Sequence, residues 1–259
     1  MSEKNNKKPQ RKKKRRRNKK LMVSAAAFIT AAVVVIFCIY YVYYETDYFL
    51  LAGVDIDGNS TYSKEYILEK SDIESGKKIF DIDRAKIKDN LEKEVYIESV
   101  RVVYVLPNRI FLDISEREEK YQVFYRSQYI IIDKNGIVLR ISNDKSSLLT
   151  IESYTDIVYN VGDSIQFAGV ENNKKIFDAI EYLNNEYGSD AVSAYFVDLK
   201  NSFLFETLYG TKVRIDLSED VGYQIVFAMK IINERLNNNL TVTGLIDFTK
   251  GDSPVYIEE

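Results

Sequence analysis

The sequence predicts an α+β protein held behind a single membrane-spanning helix. Three features predict it: an uncharged run at residues 21–44, a charge balance that reverses across that run, and a long remainder in which strand patterns alternate with short helical ones.

Of the 36 Lys and Arg and the 39 Asp and Glu, twelve and one lie in residues 1–20, which leaves 24 and 38 beyond them. The net charge of −3 therefore joins a strongly basic front to an acidic remainder. A stretch such as RKKKRRRNKK has no apolar surface to bury, so residues 1–20 are expected to form a disordered basic tail. Residues 21–44, LMVSAAAFITAAVVVIFCIYYVYY, follow as the span. At 1.5 Å per residue they reach about 35 Å, enough for a hydrocarbon core of ~30 Å. Tyr40, Tyr41, Tyr43 and Tyr44 suit the membrane–water interface, where a ring stays in lipid and its hydroxyl stays wet. A cleavable signal would be shorter and end in small residues; here the alanines come first and the tyrosines last, so the anchor should be retained. The positive-inside rule puts the tail in the cytoplasm and everything after Glu45 outside the cell membrane. Beside the span, the basic tail meets anionic lipid, at ~1 kcal/mol per nearby charge. Nucleic acid is the other polyanion that would attract it, and is not expected as a partner.

The outside portion is long enough for two modest domains. The single Cys, Cys38, lies in the span, so no disulfide staples that portion and its cores must be held by packing.

Its first block reads β-α-α-β-β. AGVDIDGN is a short strand with Val54 and Ile56 on one face and a Gly58-Asn59 turn after it. Ser63 caps a helix carrying Tyr66, Ile67 and Lys70. Ile79 and Phe80 form an apolar pair expected to plug a small core. Asp81 or Asp83 caps a second helix bearing Ala85, Ile87 and Leu91. A hairpin closes the block: Val100, Val102 and Tyr104 alternate with polar or outward residues, a Leu106-Pro107-Asn108-Arg109 break follows, and Ile110, Leu112 and Ile114 resume the alternation. Two helices covering one face of three strands make a compact α+β unit.

The second block is longer and richer in strands. YQVFY, QYIIID, IVLRI and LLTIESY are strands, with Asp133-Lys134-Asn135-Gly136 a hairpin turn. Val170, Ile176, Phe177, Ile180 and Leu183 recur at helical spacing, ending at Gly188. SAYFVDL, FLFETL and TKVRIDL are further strands. Ser218 is placed to cap a helix with Val221, Ile225, Met229 and Ile232 inward. TVTGLIDF is a last strand, and residues 251–259 are read as a short tail.

Four stretches in this order, VDIDGNSTYSKEYI, GKKIFDID, YIESVRVVYVLPNRIFLDISERE and YIIIDKNGIVL, give the chain a resemblance to the FtsQ/DivIB family of bacterial cell-division proteins. The resemblance implies a POTRA domain over residues 49–117 and a β domain over residues 118–250. It also implies a scaffold at the division septum that joins small bitopic partners of the DivIC/FtsB and FtsL types. Through them it would help position and regulate the septal peptidoglycan synthase. In such proteins the last strand of the β domain accepts a strand from the DivIC/FtsB-type partner. Carried over, that points to Leu245, Ile246, Asp247, Phe248, Thr249 and Lys250. Val242, Ile246 and Phe248 point one way along this strand and Thr243, Leu245, Asp247 and Thr249 the other, so Ile246 and Phe248 also suit a core. With only a polar tail after it, the strand is expected at a sheet edge, where Thr249→Pro and Lys250→Glu would spare the core.

No enzyme is expected. Without His there is no Ser-His-Asp triad and no His-ligated zinc, and no Gly-rich phosphate loop appears. No cofactor or metal site is read: Asp55/Asp57 and Asp81/Asp83 are explained by a wet strand face and a helix start. The alternative function is a membrane-anchored hydrolase acting on cell-wall material with a Ser/Lys nucleophile. Lys145-Ser146-Ser147 is the stretch it would use, though neighbours in a turn do not make a base–nucleophile geometry. Substitutions at Ser146, Ser147 and the Asp pairs separate the two classes, since a scaffold tolerates them and an enzyme does not.

Overall fold

A computed structural model describes residues 10–198, 201–251 and 253–258. Residues 1–9 of the disordered tail expected over residues 1–20, and Leu199 at the end of an expected strand, lie outside the described residues; residues 10–20 are helical instead.

The first helix, α1, runs Gln10–Glu45 and so starts well before the expected span. Gln, Lys and Arg are good helix formers, and extending an existing helix avoids the cost of nucleating one. Its apolar stretch Ala25–Glu45 has a mean hydropathy of 2.5, and none of it is buried by the rest of the chain. This is the transmembrane helix.

Packing divides the chain into two compact units: residues up to Asp57 with 63–90 and 101–113, and residues 58–62 with 91–100 and everything from Ile114 onward. The first block has the elements its sequence predicts: β1 (Gly53–Asp57), α2 (Lys64–Ser71), α3 (Arg84–Leu91), β2 (Ile97–Val105) and β3 (Arg109–Glu116). The strands form one sheet in the order β1-β3-β2, with β1 parallel to β3. The hairpin's second strand is therefore central, which is why Ile110, Leu112 and Ile114 are all buried. Ser63 caps α2 by accepting from the Tyr66 N–H at 3.2 Å, as expected. Of the two candidates for α3, Asp83 caps, accepting from the Ala85 N–H at 2.9 Å. The Ile79-Phe80 pair splits: Ile79 is fully buried, whereas Phe80 is 48 % exposed. Both cannot face inward from a single 3-10 turn over Ile79–Asp81.

Within the second unit, Gly58 and Glu116 account for two of the sequence's conspicuous motifs. Gly58 has φ +80, and a Cβ there would stand 2.0 Å from the Ile114 carbonyl oxygen. Glu116 accepts from the Ser60 N–H and hydroxyl and from the Thr61 and Tyr62 N–H groups, at 2.7–3.3 Å. Burial pushes the Glu116 carboxyl up, but these four donors outweigh it and hold it below the usual range. Gly58→Ala is expected to cost more than about 2 kcal/mol, combining left-handed strain with a backbone clash. Chemical denaturation of the full chain would show it as a lower midpoint at unchanged slope.

The rest of the second unit is a nine-stranded sheet with two helices. Its strands are β4 (Tyr121–Tyr125), β5 (Gln128–Ile132), β6 (Val138–Ser142), β7 (Leu149–Ser153), β10 (Val192–Asp198), β11 (Ser202–Thr207), β12 (Thr211–Asp216), β13 (Gly244–Asp247) and β14 (Val255–Glu258). The short strands β8 (Ile157–Val158) and β9 (Gln166–Phe167) form a separate ribbon. The large sheet runs β14-β13-β12-β11-β10-β7-β4-β5-β6. The helices α4 (Lys174–Tyr187) and α5 (Val221–Asn237) bury Phe177, Ile180, Leu183, Ile225 and Ile232 with inward strand residues such as Val123, Tyr195, Phe203, Val213 and Ile246. The cap of α5 is Asp220, accepting from the Tyr223 N–H at 2.9 Å, while Ser218 donates to Asp216 instead. Two residues closer to the apolar run, Asp220 is the one whose carboxylate reaches the orphan N–H of the first turn.

Candidate functional site

The residues singled out for partner binding fall on β13 and the turn after it, but β13 is not an edge. It pairs in parallel with β12 on one side and antiparallel with β14 on the other. The segment read as a tail supplies β14: Val255, Tyr256 and Ile257 after Pro254 are a three-residue strand signal, too short to outweigh the polar residues around it. The edge of the sheet is β14.

Gly244 lets the two strands meet. Its φ is +143, and a Cβ there would lie 2.4 Å from the Ile257 carbonyl oxygen. Arg235 at the end of α5 fixes β14 from outside: it donates to Glu258 at 2.6 Å and its guanidinium stacks 3.9 Å from the Tyr256 ring centre. The Tyr256 hydroxyl donates to the Thr243 carbonyl at 2.8 Å.

Along 245–250 the six side chains do different things. Ile246 is fully buried and Phe248 packs against the same core, its ring meeting Phe227 edge-on at 6.4 Å. Asp247 is also fully buried, on the opposite face of the sheet. It accepts from Arg214 at 3.0 Å, and Arg214 donates to Asp198 at 2.8 Å. Thr249 closes the turn, its N–H and hydroxyl both donating to Asp247, at 2.9 and 2.6 Å. Burial pushes the Asp247 carboxyl up; the bonds from Thr249 and Arg214 more than offset this and leave it below the usual range. The Thr249 N–H is thus no spare donor, and Thr249→Pro would strip a partner from a buried carboxylate. Leu245 is half-buried, and Lys250 is exposed. The Arg214–Asp198–Asp247 cluster escaped the sequence reading because its members come from three strands, with only the alternation of β12 and β13 to hint that their charges share a face.

Ser146 of the hydrolase reading is held elsewhere. Its hydroxyl and N–H both donate to the side-chain oxygen of buried Gln122 at 3.0 Å, and the Gln122 amide donates back to the Ser146 and Leu148 carbonyls. This ties a loop to β4, a structural use of the serine.

A transmembrane helix followed by a β-α-α-β-β domain and a strand-rich domain defines a membrane-anchored POTRA protein, and the family model described as "POTRA domain, FtsQ-type" matches residues 49–117. Cell division protein DivIB of Clostridium botulinum (strain Hall) is 28 % identical over 218 residues, covering 82 % of this chain and 83 % of that one. DivIB of Clostridium tetani is 25 % identical over 222 residues, covering 83 % and 82 %. Cell division protein FtsQ of Syntrophotalea carbinolica is 30 % identical over 97 residues, covering 38 % and 34 %. The FtsQ-type POTRA domain and these likenesses over most of the chain support the FtsQ/DivIB family of bacterial cell-division proteins.

Proposed function

We propose that this protein is a non-catalytic bitopic scaffold of the division machinery. Its outer domains bind small single-span division proteins of the DivIC/FtsB and FtsL types, and so help to position and regulate the septal peptidoglycan synthase. The basic tail lies in the cytoplasm against anionic lipid, the C-terminus lies outside, and the protein concentrates at the septum. Protease added to intact spheroplasts is expected to digest residues 45–259 and spare a tag on the tail; a protected C-terminal portion would reverse the orientation.

The observation that carries the binding role is the outer edge of β14. Among the described residues no strand pairs with it. A strand edge offers alternate N–H and C=O groups to an incoming strand, and neighbouring side chains choose which strand is accepted. The proposed site is β14 together with Leu245, Ile246, Asp247, Phe248, Thr249 and Lys250. Ile246 and Phe248 hold the platform, the Asp247–Thr249 turn shapes it, and Leu245 and Lys250 meet the partner. One strand spacing, ~4.8 Å, separates β13 from that edge, a distance Lys250 spans.

Lys250→Glu and Ile257→Glu change exposed side chains and are expected to leave the thermal midpoint in place. Each is expected to weaken capture of a DivIC-type partner by about tenfold, or ~1.4 kcal/mol. If both folded variants bind with the affinity of the unaltered chain, the interface is elsewhere.

A further inference from the structure

The first unit carries an apolar rim that no described residue covers, and it begins where α1 ends. Tyr43, in the last turn of the transmembrane helix, donates its hydroxyl to Asp81 at 2.7 Å, and its carbonyl accepts from the Lys78 ammonium. The 78–81 turn therefore lies at the height of the span's last turn. Phe80 projects from it, its ring 6.2 Å from Tyr43, 5.4 Å from Phe49 and 5.6 Å from Tyr104. The tip of the β2–β3 hairpin lies at the same level: the Ala52 N–H, next to the start of β1, donates to the Asn108 carbonyl, while the neighbouring Leu51 N–H donates to the Lys77 carbonyl. Leu106 at that tip is 63 % exposed, Tyr48 after the span 58 %, and Phe80 48 %. Charge does not mark this end for an ionic partner, since Lys77, Lys78 and Arg84 are set against Glu45, Asp47, Asp81 and Asp83.

From this geometry we infer that Tyr48, Phe80 and Leu106 insert into the lipid of the leaflet in which α1 ends, so that the POTRA domain rests on the bilayer. The occupant is lipid because the rim is continuous with a helix that already spans it. Aromatic and aliphatic side chains at this height sit about 5–10 Å into the boundary between headgroups and acyl chains. The inference rests on α1 spanning the membrane and is otherwise independent of any division partner.

The chain has no Trp, so one introduced Trp is a sole reporter. Three full-length variants, Phe37→Trp in α1, Leu106→Trp at the rim and Asp57→Trp at the far end of β1, are placed in phosphatidylcholine vesicles. The vesicles carry bromine at shallow or deep acyl positions. Deep bromine should quench the Phe37 reporter, and shallow bromine should quench the Leu106 reporter by roughly two-fold, from an interfacial depth. High salt should not relieve it, because no charge attraction holds the rim down. The Asp57 reporter should stay bright. A quenched Phe37 reporter with a Leu106 reporter as bright as that at Asp57 overturns the inference, and leaves the rim to a protein partner. An unquenched Phe37 reporter overturns the span itself. Phe80→Trp repeats the measurement if the Leu106 variant does not fold.

Discussion

Leu112→Asp is expected to unfold the POTRA domain, with loss of its thermal transition in the full-length protein and rapid proteolysis of residues 49–117. Leu112 is fully buried on the central strand of the three-stranded sheet, flanked along β3 by buried Ile110 and Ile114. The substitution removes about 2 kcal/mol of apolar burial and leaves a carboxylate without a partner, a further penalty of several kcal/mol. A domain of this size is held by roughly 4–10 kcal/mol, so the two terms together consume most or all of it. Val103→Asp is the matched control. Val103 lies on β2 with its side chain turned outward, and the same charge there should move the midpoint by less than about 0.5 kcal/mol. Equal sensitivity at the two positions would mean that the alternation does not mark the buried face.

That comparison also explains why the hairpin was legible in the sequence and other features were not. Strand alternation fixes a face within one segment, so Ile110, Leu112 and Ile114 could be read without any partner in view. The N-cap at Ser63 and the inward row of α5 are equally local. Phe80 is different: beside Ile79 it looks like core, and only the turn's geometry, tied through Asp81 to Tyr43, sends one side chain in and the other out. The start of α1 was misjudged because basic composition was weighed against burial, while a helix already formed by the apolar span can extend on propensity alone. The edge at β13 was misjudged for a third reason. Whether a strand is terminal depends on what pairs with it, and the pairing segment, Val255–Glu258, reads as polar by itself. Residues 245–250 were therefore legible as a late strand and its turn, while the edge strand beside them and the buried ion cluster were not.

The second large effect is expected at Arg214, whose guanidinium donates to both Asp198 and Asp247. Arg214→Met keeps the apolar stem and removes the charge, leaving two carboxylates on one face. Asp247 has no exposed surface, although it keeps its bonds from Thr249. Breaking one side of a buried pair costs about 3–5 kcal/mol; Arg214 and Asp198 retain some contact with water, so the lower end is expected. The pH dependence separates this explanation from simple loss of packing. In the unaltered chain Asp247 titrates below its ordinary value, so its contribution to stability is fully present above that value and falls away as pH drops through the lowered one. In Arg214→Met burial and Asp198 push the Asp247 carboxyl upward instead. Protonation then relieves the strain, and the deficit relative to the unaltered chain should narrow as pH falls into the carboxylate range. Adding Asp247→Asn to Arg214→Met should recover part of the loss at neutral pH, because an amide can accept from Thr249 without needing a cation. Thermal denaturation of the three proteins between neutral and acidic pH checks this. A deficit in Arg214→Met that stays constant with pH, and that Asp247→Asn does not reduce, would show that Arg214 acts by filling space. The same cluster shapes the turn at 247–250, and the Phe248 N–H donates to the Arg214 carbonyl at 3.0 Å. If that turn presents Lys250 to a partner, Arg214→Met should weaken capture as well, and the double variant should restore binding in proportion to its stability.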